Sequence, residues 1–303
     1  MAAVVALREC PPLSKAVRAF LYDYEAIGSD GTRRVYGGTM RALVDAYGAS
    51  ASVGDLRPET LVPWFRERFG GTSAATYDRH LATLRSAAKW WQLQGWIIAD
   101  PTVGLTRRKI NIDRTKARDQ ATVSAVWERD DIPLRDKTLM MMLYETAARA
   151  EEILSLNVED LDRANKRARV RSKGGDIEWV YWQTGTARLL PRLIGDRERG
   201  PLFLAYRLPT RAVATVDLCP VTGRARLSYR RAAELCKQYT GWTLHIYRHS
   251  ALSHDAGAGT SLPMLQARSR HASIRTLAER YAIPGAGAVA RHVAEMDPAR
   301  RRR

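Results

Sequence analysis

The sequence predicts a mainly α-helical protein with one small β-sheet, built as two domains. Three observations lead there. Apolar residues recur at three- and four-residue spacing through residues 13–95 and again after 227, the period of helices that bury one face. One stretch, RARVRSKGGDIEWVYW at 167–182, instead reads as two short β-runs about Lys173-Gly174-Gly175, a hairpin with glycine at its turn. Between the two regions lies a polar, basic segment with the composition of an interdomain linker.

Taken in order, SKAVRAFLYDYEAI and RRVYGGTMRALVDAY carry the first two helical patterns. RPETLVPWFRERFG follows and stops at Gly70-Gly71. TSAATYDRHLATLRSAAKWWQLQG is a longer helix, with Thr72 or Ser73 as N-cap and Trp90, Trp91 and Trp96 as core anchors. Four such helices form a compact bundle over residues 1–105. ADPTVGL ends the pattern, and residues 106–118 form the linker. The second domain spans 119–303: a buried helix at DKTLMMMLYETAA, the hairpin, a short apolar strand at PLFLAY, then helices to the end. No tandem repeat is present.

The length of 303 residues and a hydrophobic content of 45% suit one large or two ordinary domains with real cores. No apolar run approaches the ~20 residues of a membrane span, and the start, MAAVVALRECPPLSKAV, lacks the basic n-region and apolar core of a secretory leader. Cys10, Cys219 and Cys236 are odd in number and scattered, which argues against a disulfide framework or a paired-cysteine metal site. Buried thiols in a reducing cytoplasm fit them.

The net charge of +17 points to a polyanionic partner, above all nucleic acid. Residues 1–105 hold 12 basic and 10 acidic side chains, which leaves 37 and 22 for residues 106–303. The excess therefore sits in the C-terminal two thirds, and the run Arg300 to Arg303 adds a nonspecific attraction.

Several residues in that basic region carry chemistry only as a set. Singly, each has a plain structural explanation: Arg149 pairs with Glu152, Lys173 sits in a hairpin turn, His245 and Arg248 share a helix face, His271 caps a helix and Tyr281 packs in a core. Together, in the order Arg, Lys, His-x-x-Arg, His, Tyr, they suit nucleophilic attack by a tyrosine on a phosphodiester. Guanidinium forks match the charge that spreads over the phosphoryl oxygens. A phenol ionises near pH 10, so a base or strong positive charge must help its proton leave, and the departing 5′-oxygen needs a proton that a lysine can supply. No clustered carboxylates suit a two-metal site, and no cofactor motif is present.

YETAARAEEILSLNVEDLD, RVRSKGGDIEWVYW, LHIYRHSALSHDAGAG and RHASIRTLAERYA together resemble the boxes of the tyrosine recombinase (phage integrase) family. The likeness covers most of the chain and is strongest over 141–283. It implies Arg149 and Arg248 as catalytic arginines, Glu152 as structural support of the first arginine box, Lys173 as general acid, His245 and His271 as residues that assist proton transfer and hold the phosphate, and Tyr281 as nucleophile. Three details depart from the family pattern: Ala147 follows Thr146 where glycine is common, Arg270 precedes His271 where glycine is frequent, and His271 and Tyr281 are ten residues apart rather than nine. The layout is similar to the two-domain Cre and Xer recombinases, which implies a helical DNA-binding domain and a catalytic domain closing on duplex DNA. It further implies a homo-tetramer on two recombination sites, no metal and no ATP. After Tyr281, Pro284 and Gly285 break the helix and Ala288, Val289 and Val293 resume an apolar stripe, expected to dock on a neighbouring protomer. Type IB topoisomerase activity and a non-catalytic DNA-binding regulator are the alternatives that share most of these features.

Overall fold

The computed structural model describes residues 10–25, 30–109, 117–171, 175–271, 273–281, 290 and 293–297. The chain forms two compact units, Met1–Asn111 and Ile112–Arg303. No helix among the described residues is long and apolar enough to cross a membrane.

The first unit holds α1 (Leu13–Glu25), α2 (Asp30–Tyr47), α3 (Pro58–Phe69) and α4 (Ala74–Leu93). Proline at the first position of α3 suits a site whose N–H would be unpaired anyway. Ser73 caps α4 by accepting the Thr76 N–H, so of the two residues expected at that cap it is the serine that serves. The interleaved apolar faces bury Phe20, Met40, Leu43, Phe65, Leu81 and Trp91. Of the three tryptophans expected as core anchors, Trp91 alone is fully buried, its indole N–H donating to the Ala16 carbonyl at 3.2 Å. Trp90 and Trp96 are half-buried against each other, and Trp90 donates to Asp23 at 2.9 Å. An amphipathic ring at the core's margin keeps its N–H partnered this way.

Part of the segment read as a linker packs back on this unit. Arg108 lies over the Tyr77 ring at 3.8 Å and donates to the Gly70 carbonyl at 2.8 Å, while its backbone N–H donates to Asp78 at 2.9 Å.

In the second unit, α5 (Gln120–Glu128), α6 (Leu134–Thr146) and α7 (Ala150–Leu154) lead into β1 (Leu161–Asp162), β2 (Arg167–Arg171) and β3 (Ile177–Tyr181). Then follow α8 (Thr184–Ile194), α9 (Tyr229–Thr240), α10 (Leu244–Gly257), α11 (Leu262–Ser269) and α12 (Ile274–Tyr281). The strands form one antiparallel sheet in the order β1-β2-β3, with Arg167 opposite Tyr181 and Arg171 opposite Ile177. Alternation sends Ala168, Val170 and Val180 into the core, while Arg169, Arg171, Ile177 and Tyr181 stay exposed.

α6 runs through the centre, burying Leu139, Met140, Met142 and Leu143. Its Glu145 is buried too, accepting the backbone N–H groups of Gln183, Gly185 and Thr186 at the start of α8 at 2.8, 3.1 and 3.1 Å. A carboxylate there meets the unpaired donors and positive end of a helix. A β-carbon on Gly185 would lie 2.5 Å from the Met141 Sδ and 2.6 Å from the Glu145 Oε1, so a larger residue there would displace these side chains.

PLFLAY does not form the expected strand. Leu202 and Phe203 are buried, but the segment makes only isolated bridges, Pro201 with Asn157 and Leu204 with Arg226. The buried Arg197 guanidinium takes the Pro201 and Leu202 carbonyls at 2.7 and 3.1 Å, which removes them from any ladder. The apolar run marks burial here, with isolated bridges in place of a strand. The C-terminal stripe expected after Tyr281 lies largely outside the described residues, since 282–289 are among those not described.

Candidate active site

The first arginine stands at a helix start. α6 ends at Ala147 in the left-handed conformation (φ 51°, ψ 24°), and Arg149 then precedes α7. Glu152 folds back, accepting the Arg149 backbone N–H and its Nη1, each at 2.8 Å. The carboxylate thus satisfies an unpaired N–H at the helix start and aims the guanidinium at once. Sequence reasoning placed this pair together, and it is together.

α10 supplies the second arginine. Arg248 is 2% exposed, donating to the Ala147 carbonyl at 2.5 Å and the Ser269 carbonyl at 2.6 Å. His245, one turn earlier, is exposed. The turn between α11 and α12 supplies the rest. Arg270 is left-handed (φ 53°, ψ 43°), and His271 follows with its Nδ1 2.7 Å from the Ser269 hydroxyl. Tyr281 ends α12, buried, with its ring 5.5 Å from that of His271 and 4.8 Å from that of His249.

Arg149, His245, Arg248, His271 and Tyr229 therefore line one recess of about 270 Å³. Tyr281 is packed behind it, among Ala147, Ala251, Leu252, Leu265 and Leu277. α12 spans Ile274–Tyr281, with Tyr281 as its last residue.

Two guanidiniums, Arg149 and Arg248, line the recess together with the Glu151 carboxylate. Burial, then the neighbouring charge of Arg149, pushes the Arg248 pKa down from 12.5 to about 10, so at neutral pH it stays a cation at an energetic cost. Burial, then Arg248 and Arg149, pushes His271 down from 6.5 to about 4, so its imidazole is neutral. Two guanidiniums and a neutral imidazole around an open recess suit an incoming phosphodiester: the anion offsets the repulsion between the arginines and finds a group able to accept a proton.

The model of the Phage integrase family matches residues 113–284, more than half of the 303. The chain belongs to the phage integrase family. Among curated relatives, the tyrosine recombinase XerC of Mycobacterium sp. (strain JLS) is 27% identical over 268 residues, spanning 82% of this chain and 86% of the relative. XerC of Mycobacterium leprae (strain TN) is 26% identical over 270 residues, with the same coverage. Among solved structures, the Tn1549 transposon integrase in complex with a circular intermediate DNA superposes with a TM-score of 0.69 at 15% identity, over 94% of this chain and 100% of that one. The lambda integrase bound to DNA gives 0.67 at 13% identity, over 89% and 95%. At those identities the structures speak for the fold, which is that of the phage integrases.

In this phage integrase chain Arg149, Glu152, Lys173, His245, Arg248, His271 and Tyr281 all fall within the matched segment. Lys173 is outside the described residues. Two residues beside the recess escaped the sequence reading. Tyr229 lines it from the start of α9, and His249 packs on Tyr281. His249 follows Arg248 directly, and its helical position one turn after His245 was the available signal. Nothing local marks Tyr229, whose place depends on how α9 packs.

Proposed function

We propose that this phage integrase is a site-specific DNA recombinase that cleaves and rejoins strands of duplex DNA through a 3′-phosphotyrosine on Tyr281. The observation that carries the reading is the gathering of Arg149, His245, Arg248 and His271 around one recess, with the Tyr281 ring packed against His271. The phenolic oxygen attacks the scissile phosphorus, the bond to the 5′-oxygen breaks, and a 5′-hydroxyl leaves. The 5′-hydroxyl of the partner duplex then attacks the phosphotyrosine and restores the phenol. One phosphoester replaces another, so no external energy source is consumed.

Arg149 and Arg248 stabilise the charge on the phosphoryl oxygens, and Glu152 holds Arg149 in place. His271, neutral in the free protein, and the exposed His245 handle the phenolic proton. Lys173 protonates the leaving 5′-oxygen. The helical unit supplies the DNA-binding domain and the second unit the catalytic domain. Four protomers on two sites form the synaptic assembly, with the segment after Tyr281 docking between neighbours.

The test incubates the pure protein with nicked DNA from the region flanking its own gene and looks for a protein–DNA adduct that survives SDS. The wild type should form it and Tyr281→Phe should not. Adduct from both proteins would remove Tyr281 as nucleophile. Tight binding without any adduct would favour a regulator. Adduct followed only by relaxation of circles, with no exchange between partners, would favour a topoisomerase.

A further inference from the structure

We propose that Arg270 is a positioning residue for this reaction: its buried guanidinium locks the turn whose successive carbonyls aim Arg248 and Arg149. The inference rests on the roles just given to those two arginines. The Ser269 carbonyl accepts from Arg248 Nη2 at 2.6 Å, and the next carbonyl along, that of Arg270, accepts from Arg149 Nη2 at 3.3 Å. One short stretch of backbone therefore sets the direction of both guanidiniums. That stretch is left-handed at Arg270, a conformation unfavourable for any residue with a β-carbon.

The side chain holds it there. The Arg270 side chain is 6% exposed, with Nη2 on the Glu152 carboxylate and Nε 3.0 Å from Glu178 Oε2 on β3. The second contact is an ion pair without hydrogen-bond alignment. A single cation thus joins the start of α7, the turn before His271, and the strand that follows residues 172–174. Arg270 does not line the recess, so it acts through the groups it holds.

It also sets the local charge balance. Glu152 and Glu178 carry two negative charges close to Arg149 and Arg248. Arg270 pairs with both of these carboxylates and so offsets their charge beside the two arginines. Glycine at 270 would relieve the backbone and remove the cation, so the two contributions can be separated by experiment.

The experiment measures single-turnover adduct formation on nicked DNA carrying the site that the wild type cleaves, with DNA affinity and thermal melting recorded in parallel. Arg270→Gly should slow adduct formation by about 10-fold or more, as misplacement of positioned groups does, while affinity stays within about 3-fold and the melting curve is retained. Arg270→Lys, which keeps the charge and loses the fork, should recover part of the rate. Glu178→Gln should slow the step modestly alone and not further when combined with Arg270→Gly, because its partner is already gone. Wild-type rate in Arg270→Gly would overturn the inference, as would a loss of rate that merely tracks lost affinity or folding. A wild type that forms no adduct, or an adduct that persists in Tyr281→Phe, would instead sink the reading on which it rests.

Discussion

Replacing Arg248 with methionine should cost the free protein at most about 3 kcal/mol of stability while nearly abolishing cleavage. The cation is held in a fold that pushes its pKa from 12.5 down to about 10, by burial first and by Arg149 second. At roughly 1.4 kcal/mol per pKa unit, keeping it charged costs on the order of 3 kcal/mol. Because the folded pKa of this base is depressed, the cost applies in full at pH 7 and fades only as pH rises through 10 and beyond. Methionine removes it and keeps the apolar stem. Against this, the donors to Ala147 and Ser269 at 2.5 and 2.6 Å disappear. Losing hydrogen bonds from a charged donor costs about 1.5–3 kcal/mol each. The two lost bonds together outweigh or just match the cost removed, so urea unfolding at pH 7 should show a loss of about 0–3 kcal/mol. Adduct formation should fall by about 100-fold or more, since a preorganised charge stabiliser is gone. A stability loss above about 4 kcal/mol would make Arg248 a structural residue of the core, and cleavage within about 3-fold of wild type would refute its role.

Other expectations use the same logic. Tyr281→Phe keeps the ring packed on His249 and His271 and should leave melting and DNA affinity unchanged while eliminating the adduct; a large drop in melting temperature would show that the hydroxyl is structural. Lys173→Ala should slow cleavage of ordinary DNA but not of a substrate with a 5′-bridging sulfur, whose leaving group needs no proton; equal defects on both would exclude general-acid catalysis. His271 has a folded pKa of about 4 against 6.5 when free, so the unfolded chain takes up its proton first and stability should fall as pH drops between those values. His271→Gln should flatten the melting temperature over that window relative to wild type, and parallel curves would contradict the assignment.

Much of the site was legible because it is written as local pattern. Arg149 and Glu152 meet through the first turn of one helix, and His245 and Arg248 share a face of another. The order of the boxes then pointed to one chemistry before any distance was known. The family pattern has glycine at two positions where this chain has Ala147 and Arg270. Both prove to be left-handed, so the backbone requirement persists after the residue that best meets it has changed.

What escaped was whatever depends on contacts distant in sequence. PLFLAY is apolar enough for a strand, yet Arg197 captures its carbonyls and leaves it as an irregular buried segment. Tyr229 reaches the recess only through the packing of α9. The sequence alone determined the helical periods, the hairpin and the charge, because each is set by the residues themselves and neighbours within a few positions. Only the tertiary structure decided that Ser269 and Arg270 aim the two arginines, that His271 is neutral and that Tyr281 lies packed behind the recess. Those properties come from burial and from charges brought together across more than a hundred residues of chain, between Arg149 and Arg270, and no local stretch of sequence encodes a dielectric or a distance.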